Sequence, residues 1–405
     1  MIHNILFVGL DISKLKHDVV IMNENKQPLG RPFVIRENRI GYQSLIDRLD
    51  QLKKKYQTQT FYIGMEATAD YWKNIYHFLK QSKDFIPVVI NPVQTKAFAK
   101  TELRRAKTDP VNAKDIAQYL VEKRPQSSWA RPPIFDNIKD LDTQIRTLGK
   151  QKTMALNRLR VELGKVAPEI EQNIRNISGQ QILALLMEFP TAEAISKAST
   201  EDLCRIRYGK KQWHLSAVFA GRMKILSQNS IAHKSGFGAG LVVQALVRLI
   251  IQLQKEMQIL KEQMEQLYEK TGDEQSLLTS INGVGKETAI VLEAYFGDVI
   301  RFPNARNFVA YFGMNPIVCQ SGKTKKRKSY LEKKGSGIVR HKLFMITLNM
   351  ISRKQEPIYS YYRRLVDEGK VKLVAMGAAM RKLLVIMYTM LKNREKFDPQ
   401  KNCNR

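Results

Sequence analysis

The chain has 405 residues, enough for two or three domains with hydrophobic cores of their own. Lysine and arginine number 67 and aspartate and glutamate 38, so the formal charge is +29, while 43% of the residues are hydrophobic. This composition excludes a disordered basic tail and predicts a folded protein that binds nucleic acid through phosphate contacts. An anionic membrane surface is the competing partner.

The sequence does not predict export or membrane insertion. The longest apolar run, residues 383–391, is interrupted by a threonine and is too short to span a bilayer. Asp11 precedes any apolar core of a signal peptide. The three cysteines, Cys204, Cys319 and Cys403, have neither metal-site nor disulfide spacing. We therefore expect a cytoplasmic protein with reduced thiols and no membrane partner.

The N-terminal part of the chain alternates between predicted strands and helices. Strands are predicted at residues 5–12, 17–22, 31–35, 61–65 and 86–90, and helices at residues 42–55 and 71–79. Three successive strands followed by alternating helices and strands are typical of an α/β layer fold. The same order is found in the RNase H-like (RuvC-like) fold.

The middle of the chain is predicted to be helical. One helical segment runs from residue 134 to about residue 177, and a second keeps an apolar heptad from Val243 to Leu267. A seam of this length fits a coiled coil, either as an antiparallel hairpin within one chain or as a contact between two copies.

The C-terminal part combines a glycine turn with helices. Gly283 and Gly285 precede Lys286 in a segment typical of a helix-hairpin-helix element, whose backbone amides bind a DNA phosphate. A plain turn between packed helices is the alternative. The last predicted helix covers residues 374–391. The predicted domains are an α/β domain at 1–125, a helical coiled-coil region at 130–275, and a mostly α-helical domain at 276–395 with a tail at 396–405.

A single serine precedes the densest run of cations in the chain. From Ser321 to Lys342 there are nine lysines or arginines and one acid, Glu332. The first five of these cations are Lys323, Lys325, Lys326, Arg327 and Lys328. Such a loop is suited to holding phosphates, and a serine beside a held phosphate can attack it. Taken alone, the stretch is equally typical of a solvated basic loop.

Three acids stand at positions where a metal site could form. Asp11 ends the first strand, Glu66 ends the strand that we predict to be central, and Asp109 begins a helix. Acids at such positions can converge at one edge of a sheet, where Mg²⁺ takes hard oxygen ligands. Alternatively, Asp11 is a turn residue and Asp109 is an N-cap before Pro110.

An ordered set of motifs resembles one protein family. The motifs are Gly9–Ser13, Met65–Thr68, Lys107–Asp109 with Asn112–Ala113, Gly283–Gly285, Ser321–Gly322 and Ala379–Leu384. Together they resemble insertion-sequence transposases with a RuvC-like DEDD domain, the recombinases that a structured noncoding "bridge" RNA guides to donor and target DNA. The resemblance covers nearly the whole chain.

The resemblance implies a composite active site. The acids that would hold Mg²⁺ are Asp11, Glu66 and Asp109, and Ser321 would attack the scissile phosphate, forming a covalent phosphoserine and freeing a 3′ hydroxyl. The fourth acid of the family falls at Asn112, which lies on the same helical face as Asp109 and would ligate more weakly. The resemblance also implies donor and target DNA, a structured guide RNA, a homodimer or tetramer, and a nucleoid-associated protein of prokaryotic type.

Three other functions are compatible with the sequence. The first is a site-specific DNA invertase built on the same fold. The second is a RuvC-like nuclease that acts through metal-bound water, in which Ser321 would be structural. The third is a non-enzymatic nucleic-acid-binding protein, which Asn112 makes conceivable.

Overall fold

A computed structural model describes residues 5–67, 70–101, 109–125, 133–234, 236–271, 276–319, 328–332 and 335–400. Within these ranges, the side chains of residues 93, 96, 99–101, 109–111, 133, 317–319 and 328–330 are outside the description. The chain divides into two compact units, Met1–Ala130 and Arg131–Arg405. Each unit is taken by itself below.

The first unit is built on a mixed five-stranded sheet. Its strands are β1 (Ile5–Ile12), β2 (Lys16–Met22), β3 (Phe33–Arg36), β4 (Thr60–Glu66) and β5 (Phe85–Ile90). Their order is β3-β2-β1-β4-β5; β2 is antiparallel to both neighbours, whereas β4 is parallel to β1 and β5. The central strand is therefore β1, and the prediction that Glu66 ends the central strand is wrong by one position in the sheet. Strand order depends on which strands pair across long sequence separations, and the local pattern of apolar residues does not show this.

Helices cover both faces of this sheet. They are α1 (Arg39–Tyr56), α2 (Trp72–Leu79), α3 (Pro92–Thr101) and α4 (Asp109–Lys123). Successive side chains of a strand point to opposite faces. Leu6, Val8 and Leu10 accordingly pack in one core with α1 and α2, while Phe7 packs in another with α3 and α4. The N-terminal architecture is thus the predicted α/β type.

Two glycines allow α4 to lie directly on the sheet. A Cβ added to Gly9 in β1 would be 2.0 Å from the carbonyl oxygen of Ala113 and 2.6 Å from the amide nitrogen of Ala117. A Cβ added to Gly64 in β4 would be 2.7 Å from Cδ1 of Leu120. A real Cβ cannot occupy the Gly9 position unless the helix moves. The close approach fixes the height of α4 above β1 and β4.

The second unit is mostly helical. Its first part contains α5 (Pro133–Val166), α6 (Pro168–Asn173), α7 (Gln180–Glu188), α8 (Ala192–Lys197), α9 (Thr200–Arg205), β6 (Arg207–Tyr208), β7 (Trp213–His214), α10 (Ala217–Gln228) and α11 (Phe237–Glu269). Its second part contains α12 (Lys286–Phe296), α13 (Ala305–Tyr311), β8 (Pro316–Cys319), β9 (Lys328–Leu331), α14 (Gly337–Ser352), α15 (Ile358–Asp367) and α16 (Lys372–Asn393), with short 3₁₀ turns at Leu277–Ser280 and Val299–Arg301.

The heptad of α11 packs against α5 in the same chain. Val243 and Val247 share a core with Leu159 and Leu163 of α5, near the C-terminal end of α5. Met264 shares another core with residues near its N-terminal end, Ile138 and Ile145. The two helices therefore run antiparallel, and the seam is occupied within one chain. The knobs-into-holes geometry of a coiled coil remains a prediction.

The helical segment predicted from 134 to about 177 is interrupted. Helix α5 ends at Val166, and α6 begins at Pro168 after the non-helical Ala167. Proline lacks an amide hydrogen and disfavours helical backbone in the residue before it, so Pro168 begins a new helix and does not continue α5. Pro168 could have predicted the end of α5 from the sequence, whereas the spacing of apolar residues alone does not reveal the interruption.

The C-terminal core is formed around α16. Ala379, Leu383 and Met387 of this helix are buried, and Phe296, Phe308 and Phe312 pack beside it with ring centroids 5.0–5.2 Å apart. Among the described residues, α11 and α16 are long and apolar enough to cross a membrane by length and composition. The core helices of soluble proteins are often equally long and apolar. Helix α16 is buried in the C-terminal core, as such helices are.

The predicted domain boundaries remain predictions. One hydrophobic core of the second unit lies at residues 155–250, and another lies at residues 278–390. A smaller core joins α5 and α11 to α12. The predicted boundary at 275/276 therefore lies between two cores inside one compact unit.

Candidate functional site

Asp11 and Glu66 lie at the C-terminal ends of neighbouring parallel strands, Asp11 as the last residue but one of β1 and Glu66 as the last of β4. Leu10 pairs with Met65 in the register of β1 and β4, so the next residues, Asp11 and Glu66, lie side by side at the same end of the sheet. Adjacent strands are about 4.8 Å apart. Asp11 lies on the same face of β1 as Gly9, and Glu66 on the same face of β4 as Gly64, because side chains alternate along a strand. Both carboxylates therefore project from the face that α4 covers.

Asn112 of α4 contacts Asp11, one of these two acids. Its Nδ2 donates a hydrogen bond of 3.1 Å to Oδ2 of Asp11. The contact depends on Gly9. Any side chain at position 9 would clash with the backbone of α4 at Ala113, the residue next to Asn112, and would push the helix away from the sheet. We call Asp11, Glu66 and Asn112 the carboxylate edge. An aspartate in place of Asn112 would face Asp11 with like charge and could not donate this hydrogen bond.

The carboxylate edge provides the oxygen ligands that a divalent cation prefers. Two carboxylates and one amide are hard donors of the kind that bind Mg²⁺, so these residues fit such an ion. Asp109 begins α4 one turn before Asn112, as predicted, but its side chain is outside the description, and the predicted motif residues Thr68, Lys107 and Thr108 are also outside it. Within the described residues there is no group of three or more His, Cys, Asp or Glu side chains arranged to hold a metal.

Asp18 is a neighbour of this edge that the sequence analysis missed. It pairs with Asp11 in the antiparallel register of β1 and β2, so the two side chains leave the sheet on the same face. Asp18 is only 7% exposed. The sequence could have predicted this neighbour. The first two predicted strands form a hairpin, and the short turn between them sets a register in which Asp11 and Asp18 lie opposite each other.

A second polar cluster lies on the opposite face of the sheet. His17 is fully buried, and its Nε2 is hydrogen-bonded to the Glu37 carboxylate. Glu37 also accepts hydrogen bonds from Tyr42 Oη at 2.5 Å and Asn74 Nδ2 at 2.9 Å. Burial raises the pKa of Glu37, but the hydrogen bonds from Tyr42, Asn74 and His17 outweigh it and hold the pKa below its ordinary value. This cluster joins β2 and the end of β3 to α1 and α2 and does not belong to the carboxylate edge.

In the second unit, the predicted nucleophile belongs to the connection of a β-hairpin. Strands β8 and β9 pair from Pro316↔Leu331 to Cys319↔Lys328, and residues 320–327 connect them. The predicted nucleophile and most of its cations lie outside the described residues: Ser321, Lys323, Lys325, Lys326 and Arg327. Lys328 lies in β9, and its side chain is also outside the description.

Arg340 and Lys342 are the cations of this stretch whose side chains are described, and both have contacts within the fold. Nη1 of Arg340 donates to the carbonyl oxygens of Phe312 at 3.3 Å and Gly335 at 2.8 Å. Nζ of Lys342 lies 3.9 Å from a carboxylate oxygen of Asp142 in α5. Arg340 therefore holds the segment that follows β9 against the end of α13. The count of lysines and arginines in the sequence therefore overstates how many of these side chains are available to bind phosphates.

The predicted glycine turn lies between a short 3₁₀ turn and α12. Gly283 has a φ of +93°, a conformation that favours glycine, and Gly285 is the N-cap of α12. The preceding element is a single 3₁₀ turn, Leu277–Ser280. Lys286 forms ion pairs with Glu265 at 3.0 Å and Glu269 at 3.4 Å, and the hydrogen bond with Glu265 raises its pKa. The role of Gly283, Gly285 and Lys286 in phosphate binding remains a prediction.

Comparison with protein families finds matches at both ends of the chain. Residues 8–168 match a transposase family model of the IS110 DEDD type, and residues 275–363 match the model described as "Transposase IS116/IS110/IS902 family". The first match includes the carboxylate edge and α4. The second includes the glycine turn, the β8–β9 hairpin and α14.

Individual relatives align along most of the chain. The "Pilin gene-inverting protein" of Moraxella bovis is 23% identical over 392 residues, which are 97% of each protein. "Insertion element IS110 uncharacterized 43.6 kDa protein" of Streptomyces coelicolor is 23% identical over 396 residues, covering 96% of this chain and 94% of the relative. "Insertion element IS116 uncharacterized 44.8 kDa protein" of Streptomyces clavuligerus is 20% identical over 294 residues, 72% of this chain and 73% of the relative. The chain therefore belongs to the IS110/IS116/IS902 family of transposases, which implies DNA recombinase activity.

Proposed function

We propose that this transposase cleaves and rejoins DNA with a serine nucleophile and a divalent metal ion, and that the metal is Mg²⁺. The observation that carries this proposal is the register of β1 and β4, in which Leu10 pairs with Met65, so that the carboxylates of the next residues, Asp11 and Glu66, lie side by side beneath α4. We infer that this α/β domain is RNase H-like (RuvC-like). The order of the two family matches along the chain supports it.

The carboxylate edge would hold the metal through Asp11 and Glu66, with Asp109 as the third acid. Bound there, the ion supplies Lewis acidity and neutralises charge that develops on the phosphate oxygens. Asn112 currently donates its amide hydrogen to Asp11. Rotation of its amide by 180° would present oxygen to the ion instead, a change that the side chain permits without moving its other atoms.

Ser321 would carry out the covalent step. Its Oγ loses its proton and forms a bond to the scissile phosphorus, and the bond from phosphorus to the 3′ oxygen breaks. The 3′ oxygen leaves and takes up a proton, so the strand is joined to the protein as a phosphoserine. Attack by another 3′ hydroxyl on this phosphoserine reverses the bond changes and rejoins DNA. No bond energy is lost to water, so ATP is not required.

The nucleic-acid partners follow from this chemistry and from the family. DNA is bound as donor and target, and we infer that a structured noncoding RNA guides the choice of both. The basic loop, residues 323–328, would contact backbone phosphates near the cleavage point, because five of its six residues are lysine or arginine. The reaction would take place in the cytoplasm of a prokaryotic cell, on nucleoid DNA.

Site-specific inversion is the second candidate function. The relative from Moraxella bovis is named for inverting a pilin gene and aligns with 97% of this chain. An invertase would use the same acids and serine on two sites in one molecule. The flanking DNA distinguishes the two functions, because an insertion element has ends that move with the gene, whereas an invertase has inverted copies of its site on either side of the inverted segment.

We further infer that the protein acts as a dimer or tetramer. The seam of α11 is occupied by α5, but the helix has a second apolar face that remains exposed. Leu241, Val242 and Leu249 on this face are 42–45% exposed. Their spacing places them on neighbouring turns of α11. A contact between copies through this face would bury them and leave the intramolecular seam intact.

A plasmid recombination assay tests the metal and serine roles together. Asp11→Ala, Glu66→Ala and Asp109→Ala should each eliminate strand exchange, as should chelation of Mg²⁺, whereas Asp50→Ala, which removes an exposed acid of α1, should not. Full exchange in chelator by a protein lacking the three acids would remove the metal from the reaction. DNA cleavage by water without rejoining would indicate the nuclease, and binding without cleavage would indicate the non-enzymatic alternative.

A further inference from the structure

A large groove in the second unit combines apolar walls with positive charge. It has a volume of about 1410 Å³ and is bordered by β8, β9 and helices α14, α15 and α16. Its basic lining residues are Arg340, His341, Arg364, Lys370, Arg381 and Lys382. None of the described residues that line it is acidic. The charge of the lining therefore favours an anionic ligand.

The cations of the groove differ in how far they are neutralised. Arg364 and Lys370 each lie 3.8 Å from Glu368, and Arg340 is held by backbone carbonyls. Arg381 forms no ion pair or hydrogen bond with any described residue. Its guanidinium donors can therefore bind an anion from outside the chain.

The remaining lining residues suit the flat face of a nucleobase. Tyr361 forms part of the wall, and Nζ of Lys382 lies 4.9 Å from its ring centroid. Leu373 and Val374, at the start of α16, are 73% and 50% exposed and border the same groove. Apolar and aromatic side chains beside arginine and lysine are typical of surfaces that bind single-stranded nucleic acid by stacking and phosphate contact. Base faces are inaccessible in a duplex.

The groove begins at the base of the hairpin that carries Ser321. Pro316 and Leu331 line it and are paired with each other in β8 and β9. Cys319 follows Pro316 by three residue steps of extended strand, a distance of about 10 Å. Residues 320–327 follow directly. A strand of DNA in the groove would therefore lie within a few nucleotides of the proposed nucleophile.

We propose that this groove binds unpaired nucleotides of the DNA strand that flank the cleavage point. Arg381 and Lys382 bind the phosphates, and Tyr361 and Leu373 contact the bases. That the bound strand is DNA at the cleavage point rests on the proposed function. That the bound nucleotides are unpaired rests on the residues that line the groove. It gives a role to Arg381 and Lys382, which lie in the Ala379–Leu384 motif.

The test uses full-length protein carrying Ser321→Ala in the presence of chelator, so that neither Ser321 nor a metal ion cleaves the DNA. Binding is measured by fluorescence anisotropy with a DNA duplex and with the same duplex containing a short unpaired stretch. 2-Aminopurine in the unpaired stretch reports base stacking. Arg381→Gln and Tyr361→Leu are compared with Arg363→Gln, a charge loss on α15 at a residue outside the groove that pairs with Asp367 at 3.6 Å. Thermal unfolding of each variant verifies its fold.

We expect Arg381→Gln and Tyr361→Leu each to weaken binding of the partly unpaired DNA about tenfold, in line with the loss of one stacked base or one phosphate contact. Binding of the full duplex should change less than about twofold. The protein should also quench 2-aminopurine, and Tyr361→Leu should reduce that quenching. Arg363→Gln should match the parent protein in all three measurements.

Three results would overturn the assignment. Equal weakening for duplex and partly unpaired DNA would make the groove a general phosphate-binding surface. Equal effects of Arg381→Gln and Arg363→Gln would make charge alone responsible. An unpaired RNA of the same sequence that binds more tightly than DNA and loses more affinity in the variants would assign the groove to RNA. Because the parent protein cannot form a phosphoserine, none of these results depends on whether Ser321 is the nucleophile.

Discussion

Two sites of this transposase, one in each unit, present opposite charges to nucleic acid. The carboxylate edge of the first unit consists of two acids on paired strands and Asn112 of α4, a helix that can lie close to the sheet because residue 9 is glycine. The groove of the second unit consists of cations and apolar side chains around an open space. Phosphates are repelled by the first and attracted by the second. We therefore expect the carboxylate edge to need a bound cation before it can accept a phosphate, whereas the groove can bind one without a cation.

The largest effect on the fold should come from Gly9→Ala. The added Cβ would lie 2.0 Å from the carbonyl oxygen of Ala113, so α4 must move away from β1. We expect the free energy of unfolding to fall by about 3 kcal/mol, as overpacking of a buried contact does. Chemical denaturation measures this. Gly164→Ala makes the same change on α5 where a Cβ has open space, and should be neutral or stabilise by up to about 1 kcal/mol. Similar losses in both variants would refute the close approach.

The basic loop should determine how DNA binding depends on salt. Neutralising Lys325, Lys326 and Arg327 together should lower the slope of log affinity against log salt by about 2.7, because each lost phosphate contact contributes about 0.9 with duplex DNA. Affinity should fall about equally for all sequences. Binding of the guide RNA should be affected less if the RNA lies on the first unit and on α5 and α11.

The control for this triple variant neutralises three exposed lysines of the first unit, Lys54, Lys55 and Lys83. It removes the same charge from a region that we do not expect to contact DNA near the cleavage point. Salt titrations of both triple variants with one DNA duplex provide the comparison. A slope that is unchanged in the loop variant, or changed equally in both, would make the loop an ordinary solvated surface.

Asn112→Asp should make the carboxylate edge of the first unit more dependent on a bound cation. Without metal, the new carboxylate faces Asp11 in place of a 3.1 Å hydrogen bond, so we expect a loss of about 1–3 kcal/mol in the free energy of unfolding. With Mg²⁺, the extra anionic ligand should reverse the loss, and recombination should be kept or increased. Thermal unfolding with and without Mg²⁺ measures this. Loss of recombination at saturating Mg²⁺ would mean that the site requires a neutral amide.

A smaller effect should distinguish the Glu37 cluster from the carboxylate edge. The pKa of Glu37 is lowered in the folded protein, so its stabilising contribution is present above its ordinary pKa of 4.5 and is lost as the pH falls below it. Glu37→Gln should therefore destabilise by about 1–2 kcal/mol at pH 7, and the difference from wild type should shrink below pH 4.5. Mg²⁺ should not change this difference. A difference that is constant from pH 7 to pH 3 would contradict the ionised state of Glu37.

Part of this architecture follows from local sequence patterns. The apolar run before Asp11 and the apolar spacing of α1 were sufficient to predict strand and helix, and the acids at the ends of β1 and β4 were predicted to converge. The place of Glu66 beside, and not in, the central strand could not be predicted, because it depends on which strands pair. The role of Gly9 depends on a contact with Ala113, more than 100 residues away. The heptad of α11 predicted a helical partner but could not choose between α5 and a second copy.

The candidate site was predictable to a similar degree. Residue types and strand ends were enough to select Asp11 and Glu66, whereas the hydrogen bond from Asn112 to Asp11 required the height of α4 above the sheet. Asp18 required the register of the first hairpin. Ser321 and its cations lie outside the described residues and remain predictions. Their contribution must be measured on DNA.

The most direct test of the proposed mechanism is capture of a covalent protein–DNA adduct. The purified protein is incubated with the proposed guide RNA, a labelled donor and target DNA, and Mg²⁺. It is then denatured and digested so that the modified peptide can be sequenced by mass spectrometry. We predict a phosphodiester between Ser321 and cleaved DNA, with a free 3′ hydroxyl, that is absent in chelator, in Ser321→Ala and in Asp11→Ala. An adduct on another residue, or cleavage by Ser321→Ala at the wild-type rate, would contradict a serine nucleophile at this position.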